Sequence, residues 1–209
     1  MSLRDSLKKY GMALAMGATV LTAGPAAVAD TAPTPPSTSD ASGRINLHEY
    51  VKQRDAARKA SGDGATTMAA SCYSGYLTSM AAGRIVSVEI GYAGSSKNML
   101  RARAISPGAW EQLTICWDSQ FDYIYSVAAD RYVSAEVGYT GSSYGMLRAR
   151  ATSVGPWERF YIGCSSACQI KSVAANAYVT TELDYTGSNS GMLRARRTGS
   201  AGSWEQFAF

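Results

Sequence analysis

The stretch GMLRARATSVGPWERF, Gly145 to Phe160, decides the fold because the chain writes it three times. Asn98 to Leu113 reads NMLRARAISPGAWEQL, and Gly191 to Phe207 reads GMLRARRTGSAGSWEQF. Trp110, Trp157 and Trp204 recur at spacings of 47 and 47, and Glu89, Glu136 and Glu182 at 47 and 46. A fixed period of this size means one supersecondary unit, repeated.

Each copy holds four strand-like pieces. In the second they are DYIYSVA, RYVSAEV, MLRARAT and WERFYIG. Val133, Ala135 and Val137 alternate with Tyr132, Ser134 and Glu136, and Leu147, Ala149 and Ala151 oppose Arg148 and Arg150. In WERFYIG, Phe160 and Ile162 share one face, opposite Trp157, Arg159 and Tyr161. GYTGSSYG and SVGP are turns. Twelve short strands in three sets of four are too few for a propeller, which needs roughly four to eight blades. A closed barrel of threefold symmetry fits and leaves no open sheet edge. The expected fold is therefore all-β, a β-trefoil over about 72–209 with repeats at about 72–118, 119–165 and 166–209. First and fourth strands build the barrel, and second and third strands form hairpins over one end.

The rest of the chain is of a different kind. Residues 1–29 have a basic start (Arg4, Lys8, Lys9), a short apolar run and the small-residue motif Ala27-Val28-Ala29, which together predict a secretory signal peptide. The run is shorter than the roughly 20 apolar residues of a membrane span, and no other run is long enough. Residues 30–45, rich in Pro, Ser and Thr, predict a disordered linker. Residues 46–71 predict one short helix, about Leu47 to Ala60, and a connector; Asn46 with Glu49 three residues on forms a capping box. His48, the single histidine, falls on its solvated side.

Of the formal charge of +4, the leader's Arg4, Lys8, Lys9 and Asp5 carry a net +2, leaving +2 for the mature chain. That gives no support to nucleic acid as a partner. Four cysteines in an exported chain point to disulfides. Zinc is disfavoured because only Cys164 and Cys168 are close in sequence and the lone histidine is distant, so no metal or cofactor is expected. In the trefoil layout the outer ends of the first and fourth strands of repeat one meet. This predicts Cys72–Cys116, and Cys164–Cys168 as a local clip between repeats two and three.

The segment RYVSAEVGYTGSSYGMLRARATSVGPWERFYI (131–162) resembles the repeat of the fascin-like, or actin-crosslinking-like, β-trefoils. The likeness covers all three repeats and lies in the Val-Ser-Ala-Glu and Trp-Glu-x-Phe parts. Repeat one departs with Val86-Ser87-Val88-Glu89 and Glu111-Gln112-Leu113, and repeat three with Val179-Thr180-Thr181-Glu182 and one extra residue before Trp204. Cytoplasmic members bundle actin through several trefoils in tandem, which one exported trefoil does not suit. Secreted single-trefoil relatives are similar to carbohydrate-binding modules for β-glucans and related polysaccharides. The resemblance implies sugar-holding roles for Trp110 with Glu111, Trp157 with Glu158, and Trp204 with Glu205.

Elementary chemistry leaves two readings of each of these residues. An indole face suits the C–H groups of a pyranose, or it packs on its own hairpin. A carboxylate accepts two sugar hydroxyls, or backbone N–H groups of the neighbouring turn. Tyr92, Tyr139 and Tyr185, in Gly-rich turns, are expected at exposed hairpin tips as a rim around a ligand. Arg101, Arg103, Arg148, Arg150, Arg194 and Arg196 pair across strands with Glu89, Glu136 and Glu182.

No constellation for catalysis is present: the repeats hold no histidine, and three equivalent shallow sites do not make one glycosidase cleft. The sequence therefore points to a secreted, extracellular, non-catalytic glycan-binding module, with a polysaccharide as partner. Two other readings stay open. One is a module that binds a secreted or envelope protein, and the other places function in the helical segment.

Overall fold

The computed structural model describes residues 45–60, 72–118 and 120–209. The expected signal peptide, the linker up to residue 44 and the connector after Ala60 lie outside the described residues.

β1 (Ile45–Asn46) leads into α1 (Leu47–Ala60), the helix expected from sequence. Asn46 Oδ1 accepts the N–H of Glu49 at 2.9 Å, which satisfies one of the helix's orphan donors. Glu49 in turn accepts Gln53 Nε2 at 3.0 Å, one turn on. Tyr50 packs on the main core. Ile45 is not linker: it pairs with Cys164 as an added edge strand.

Repeat one contains β2 (Cys72–Tyr76), β3 (Thr78–Ser79), β4 (Arg84–Glu89), β5 (Met99–Ala104) and β6 (Gln112–Trp117). β2 and β3 are two parts of one barrel strand, interrupted at the buried Leu77. Repeat two contains β7 (Asp122–Ser126), β8 (Arg131–Ala135), β9 (Leu147–Ala151) and β10 (Phe160–Cys164). Repeat three contains β11 (Cys168–Ser172), β12 (Ala177–Glu182), β13 (Met192–Arg197) and β14 (Phe207–Ala208). The barrel runs β2/β3 to β6, β7, β10, β11 and β14, and β14 returns to β3 through Phe207 opposite Ser79. This is the β-trefoil connectivity that the threefold repeat predicted.

Three hairpins, β4–β5, β8–β9 and β12–β13, cover one end and pair with each other in a ring. Met99 lies opposite Arg148, Met192 opposite Arg101, and Met146 opposite Arg194. Ala149 N–H donates to Asn98 O, Ala195 N–H to Gly145 O and Ala102 N–H to Gly191 O, at 2.8–2.9 Å. Each hairpin thus hands a hydrogen bond to the next.

The alternating apolar residues form the barrel core. Val88, Leu100, Ile124, Val133, Leu147, Phe160, Ile170, Val179, Leu193 and Phe207 have no exposed surface. Burying each large side chain fully is worth about 1.5–3 kcal/mol. The opposite face of the hairpins is covered as well. Ser87, Glu89, Ser134, Glu136, Thr180 and Glu182 are all buried. Arginines of the third strand meet the three acids, and the Trp-Glu segment, which is not the start of the fourth strand, lies against Ser87, Ser134 and Thr180. It forms 3-10 turns at Ala109–Glu111, Pro156–Glu158 and Ser203–Glu205 that pack on the second strand of the same repeat, and the fourth strands begin after them. Both expected disulfides are present, Cys72–Cys116 and Cys164–Cys168.

Candidate functional site

The Trp-Glu turns repeat one arrangement three times. Glu158 Oε1 accepts the Ser134 hydroxyl at 2.5 Å and its Oε2 accepts the Gly155 N–H at 2.7 Å. Glu205 takes Thr180 Oγ1 at 2.7 Å and the Gly202 N–H at 2.6 Å. Glu111 accepts the Ser87 hydroxyl. All three carboxylates are buried. Of the two readings that sequence left open for them, the geometry carries the local one: their oxygens pin the turn to the second strand.

The tryptophans beside them stay outside. Trp110 is 41% exposed, and Trp157 and Trp204 are half-buried. The indole tips of Trp110 and Trp157 lie over Gly91 and Gly138, where a Cβ would come within 3.9 and 3.1 Å of Cη2. Arg150 lies over the Trp157 ring at 5.5 Å, a cation–π contact. In repeat three the corresponding glycine is replaced by Asp184.

The three tyrosines follow these tips but do not form an exposed rim. Tyr92, Tyr139 and Tyr185 are half-buried and pack on a cluster of the fully buried Met99, Met146 and Met192. Their hydroxyls accept from Arg101, from Arg148 at 2.5 Å and from Arg194 at 2.5 Å. Closing the ring of hairpins demands this inward turn, because the centre of the cap needs apolar fill. The same arginines bridge to the neighbouring hairpin: Arg101, Arg148 and Arg194 donate from Nε to Ser190 O, Lys97 O and Tyr144 O, each at 2.9 Å.

Two guanidiniums meet each buried acid of the second strand. Arg148 and Arg150 lie 3.5 and 2.7 Å from Glu136 Oε1, and Arg194 and Arg196 lie 3.4 and 2.5 Å from Glu182 Oε1. Glu89 pairs likewise with Arg101 and Arg103. Burial pushes the Glu136 carboxyl above its ordinary range, and Arg150 and Arg148 oppose that shift. The cross-strand pairing read from the sequence accounts for all six arginines.

A second feature was not foreseen from sequence. A cleft of about 460 Å³ opens where β1 and the start of α1 cross β10, beside the β6–β7 loop. Its walls carry Trp117, Phe121, Tyr161 and Tyr178, with Asp122, Gln169 and Lys171 among them. His48 stacks on Trp117 at 5.0 Å, and Phe121 lies 5.5 Å from Tyr161. Asp122 is 9% exposed, and its Oδ2 accepts the Ile162 N–H at 2.7 Å. Burial raises its pKa to about 7; the Ile162 N–H pulls the other way, and the charge of Asp118 adds to the rise. Asp118 sits below the usual carboxylate range, held by the Tyr123 hydroxyl and by the N–H groups of Gln120 and Phe121.

The fold has relatives of known structure. A designed threefold-symmetric protein, ThreeFoil, superposes with a TM-score of 0.53 at 12% identity, over 64% of this chain and 95% of that one. This chain is a β-trefoil. Two further similar structures are the BEL β-trefoil (TM-score 0.49, 12% identity, 64% of this chain and 89% of that one) and a Macrolepiota procera ricin B-like lectin in complex with lactose (0.49, 15%, 68% and 96%). No family model and no curated protein matches the chain.

Within the trefoil, the structure brings each Trp together with its Glu, and the Trp110 and Trp157 tips with the turns that carry Tyr92 and Tyr139. Among the described residues, no three His, Cys, Asp or Glu side chains converge as metal ligands, and no helix is long and apolar enough to cross a membrane. The cleft escaped sequence reading because its residues come from separate places. The signal that marks them is departure from the repeat. The pairs Leu113–Ser126, Phe160–Ser172 and Phe207–Ser79 align the three copies. Asp122 then stands where the other copies have Gly75 and Cys168, and Tyr161 where they have Thr114 and Ala208.

Proposed function

We propose that this β-trefoil is an exported, non-catalytic, lectin-like module that binds a polysaccharide such as a β-glucan. The observation that carries the reading is the set of three indoles left at the surface at equivalent positions of the three repeats, Trp110 at 41% exposed among them. An indole held outside the core by a buried carboxylate staple is a rigid platform for the C–H face of a sugar ring. Glu111, Glu158 and Glu205 serve the site by fixing that platform, and hydroxyl contacts fall to the polar groups around it. Tyr92, Tyr139 and Tyr185 support the hairpin tips from beneath. Three weak platforms about one axis gain avidity on a repeating polymer. The resemblance to single-trefoil, fascin-like proteins supports the same reading, and the two disulfides suit an oxidising, extracellular setting.

Isothermal titration with laminarin, cellohexaose, xylan and chitohexaose tests it. Binding to at least one polymer is expected, and the triple variant Trp110→Ala, Trp157→Ala, Trp204→Ala should lose it while staying folded. Heat from none of the four, or full binding by the triple variant, would sink the three-platform reading.

A further inference from the structure

We propose that the cleft between α1, β10 and the β6–β7 loop is a separate, single-copy saccharide site that takes one neutral pyranose unit of a glycan. It shares with the proposed function the premise that the chain binds sugar, but it uses none of the same residues.

The first support is chemical. A pyranose has apolar C–H faces and a rim of hydroxyls that both donate and accept. A site for it needs aromatic faces and planar polar groups side by side, and specific pockets of this kind have volumes of about 300–1,000 Å³. The cleft, at about 460 Å³, has aromatic rings on several walls (Trp117, Phe121, Tyr161 and Tyr178) with the amide of Gln169 and the carboxylate of Asp122 between them. Tyr161, 51% exposed, is the ring most open to a ligand. Lys171 lies over the Tyr178 ring at 5.7 Å, which ties its charge to the wall rather than leaving it as an anion anchor.

The second support is the broken symmetry. A threefold fold asks for similar residues at equivalent places. Asp122 costs the barrel a buried carboxylate where the other repeats hold Gly75 and Cys168. Its side chain takes over the Ile162 N–H at a point where β7 and β10 share only the pair Asp122–Phe160. Tyr161 exposes an aromatic ring where the other copies have Thr114 and Ala208. Asp122 thus bridges two barrel strands through its side chain, Tyr161 has no part in closing the barrel, and both line the same cleft.

The third support is the floor plan. β1 and α1 belong to no repeat, yet β1 pairs with β10 at Cys164 and Gly163 and brings Ile45, Asn46 and His48 to the cleft. Asp118 holds the opposite wall by accepting from Gln120 N, Phe121 N and the Tyr123 hydroxyl, which sets Phe121 against Tyr161. One wall, β1 with the start of α1, comes from elements that no repeat carries and that pair, among the described residues, only with β10, so the site exists once.

The test is an amide and indole NMR titration of the mature protein with cellobiose, laminaribiose, lactose and N,N′-diacetylchitobiose. At least one disaccharide should shift Gly163 and Gln169 saturably. Tyr161→Ala should weaken that binding roughly tenfold or more, the loss of one stacking face worth about 1.4 kcal/mol. Trp157→Ala should leave it unchanged. Lys171→Ala, on the cleft's edge, gives a second variant, expected to weaken binding without loss of fold. Shifts confined to the indoles of Trp110, Trp157 and Trp204 would overturn this site and leave the proposed function standing. Shifts at Gly163 that Tyr161→Ala does not affect would also overturn it. Cleft shifts with no shift at the indoles of Trp110, Trp157 and Trp204 would uphold this site against the three-platform reading, and silence at both places would remove both.

Discussion

Glu158 shows how much of this molecule rests on a buried carboxylate. Its two oxygens hold the Ser134 hydroxyl and the Gly155 N–H, so Glu158→Ala leaves a buried hydroxyl and an N–H without partners. Hydrogen bonds to charged groups contribute about 1.5–3 kcal/mol each, and the expected loss is about 3 kcal/mol in urea denaturation. Glu158→Gln keeps an oxygen for the Gly155 N–H and presents its amide to a hydroxyl that is free to turn, so it should cost less than half as much. Equal losses in the two variants would mean that shape, not hydrogen bonding, holds the turn. Asp122 gives the residue-scale prediction for pH. Its folded pKa of about 7 lies above the ordinary value of 3.8, so between those values the folded protein binds more protons than the unfolded chain. The contribution of Asp122 to stability is then fully present below about pH 4 and is lost as pH rises towards 7, by up to about 1.4 kcal/mol per unit. Glu136, also raised by burial, adds a change of the same sign. Asp122→Asn should flatten most of the slope between about pH 4.5 and 7.5 and stabilise the protein at about pH 8; an unchanged slope would show that Asp122 is ionised in the fold throughout.

At the scale of elements, the hairpin ring depends on backbone positions that only some residues tolerate. Gly145 has φ 72° and Gly191 φ 75°, in the left-handed region, and each lies against a carbonyl of the next hairpin, Ala195 and Ala102. A Cβ at Gly145 would sit inside van der Waals contact with the Ala195 oxygen, which accounts for the expected loss of about 2 kcal/mol or more in Gly145→Ala. Repeat one solves the same position differently. Asn98 adopts φ 59° and its Nδ2 donates to Ala149 O at 2.9 Å, so Asn98→Gly should cost only about 1 kcal/mol, one ordinary hydrogen bond. If Gly145→Ala unfolds at the same urea concentration as the parent, the ring of hairpins is not a tight junction. Alternation in RYVSAEV and MLRARAT makes these hairpins and the Glu–Arg pairing legible in the sequence alone. It does not show that the charged face is buried too. That burial comes in part from the Trp-Glu turn folding back, and WERF reads equally well as the start of a strand. The tyrosines mislead for a related reason: Gly-Tyr-x-Gly is a turn sequence, but the ring of a turn residue follows the nearest apolar surface, here Met99, Met146 and Met192.

For the whole molecule, the repeat announces the closed barrel because threefold closure requires three similar parts, while the cleft stays hidden because it is made where the parts differ. The disulfides lie on both sides of that division. Cys72–Cys116 sits on the β2–β6 ladder and spans 44 residues, and Cys164–Cys168 spans 4. In the chain-entropy account a loop of the first size is worth about 4 kcal/mol and one of the second about 2 kcal/mol. The double variant Cys72→Ala, Cys116→Ala should therefore lose about twice the stability of Cys164→Ala, Cys168→Ala in urea denaturation. The shorter bridge has a second role that the longer one lacks. It fixes the β10–β11 corner, and Cys164 is the residue on which Ile45 of β1 pairs. Cys164→Ala, Cys168→Ala should then raise amide exchange at Ile45, Asn46 and Gly163 by at least about tenfold relative to β6, and Cys72→Ala, Cys116→Ala should not. Uniform acceleration across the barrel in both variants would mean that the β1–α1 wall has no local anchor and that both bridges act only through global stability.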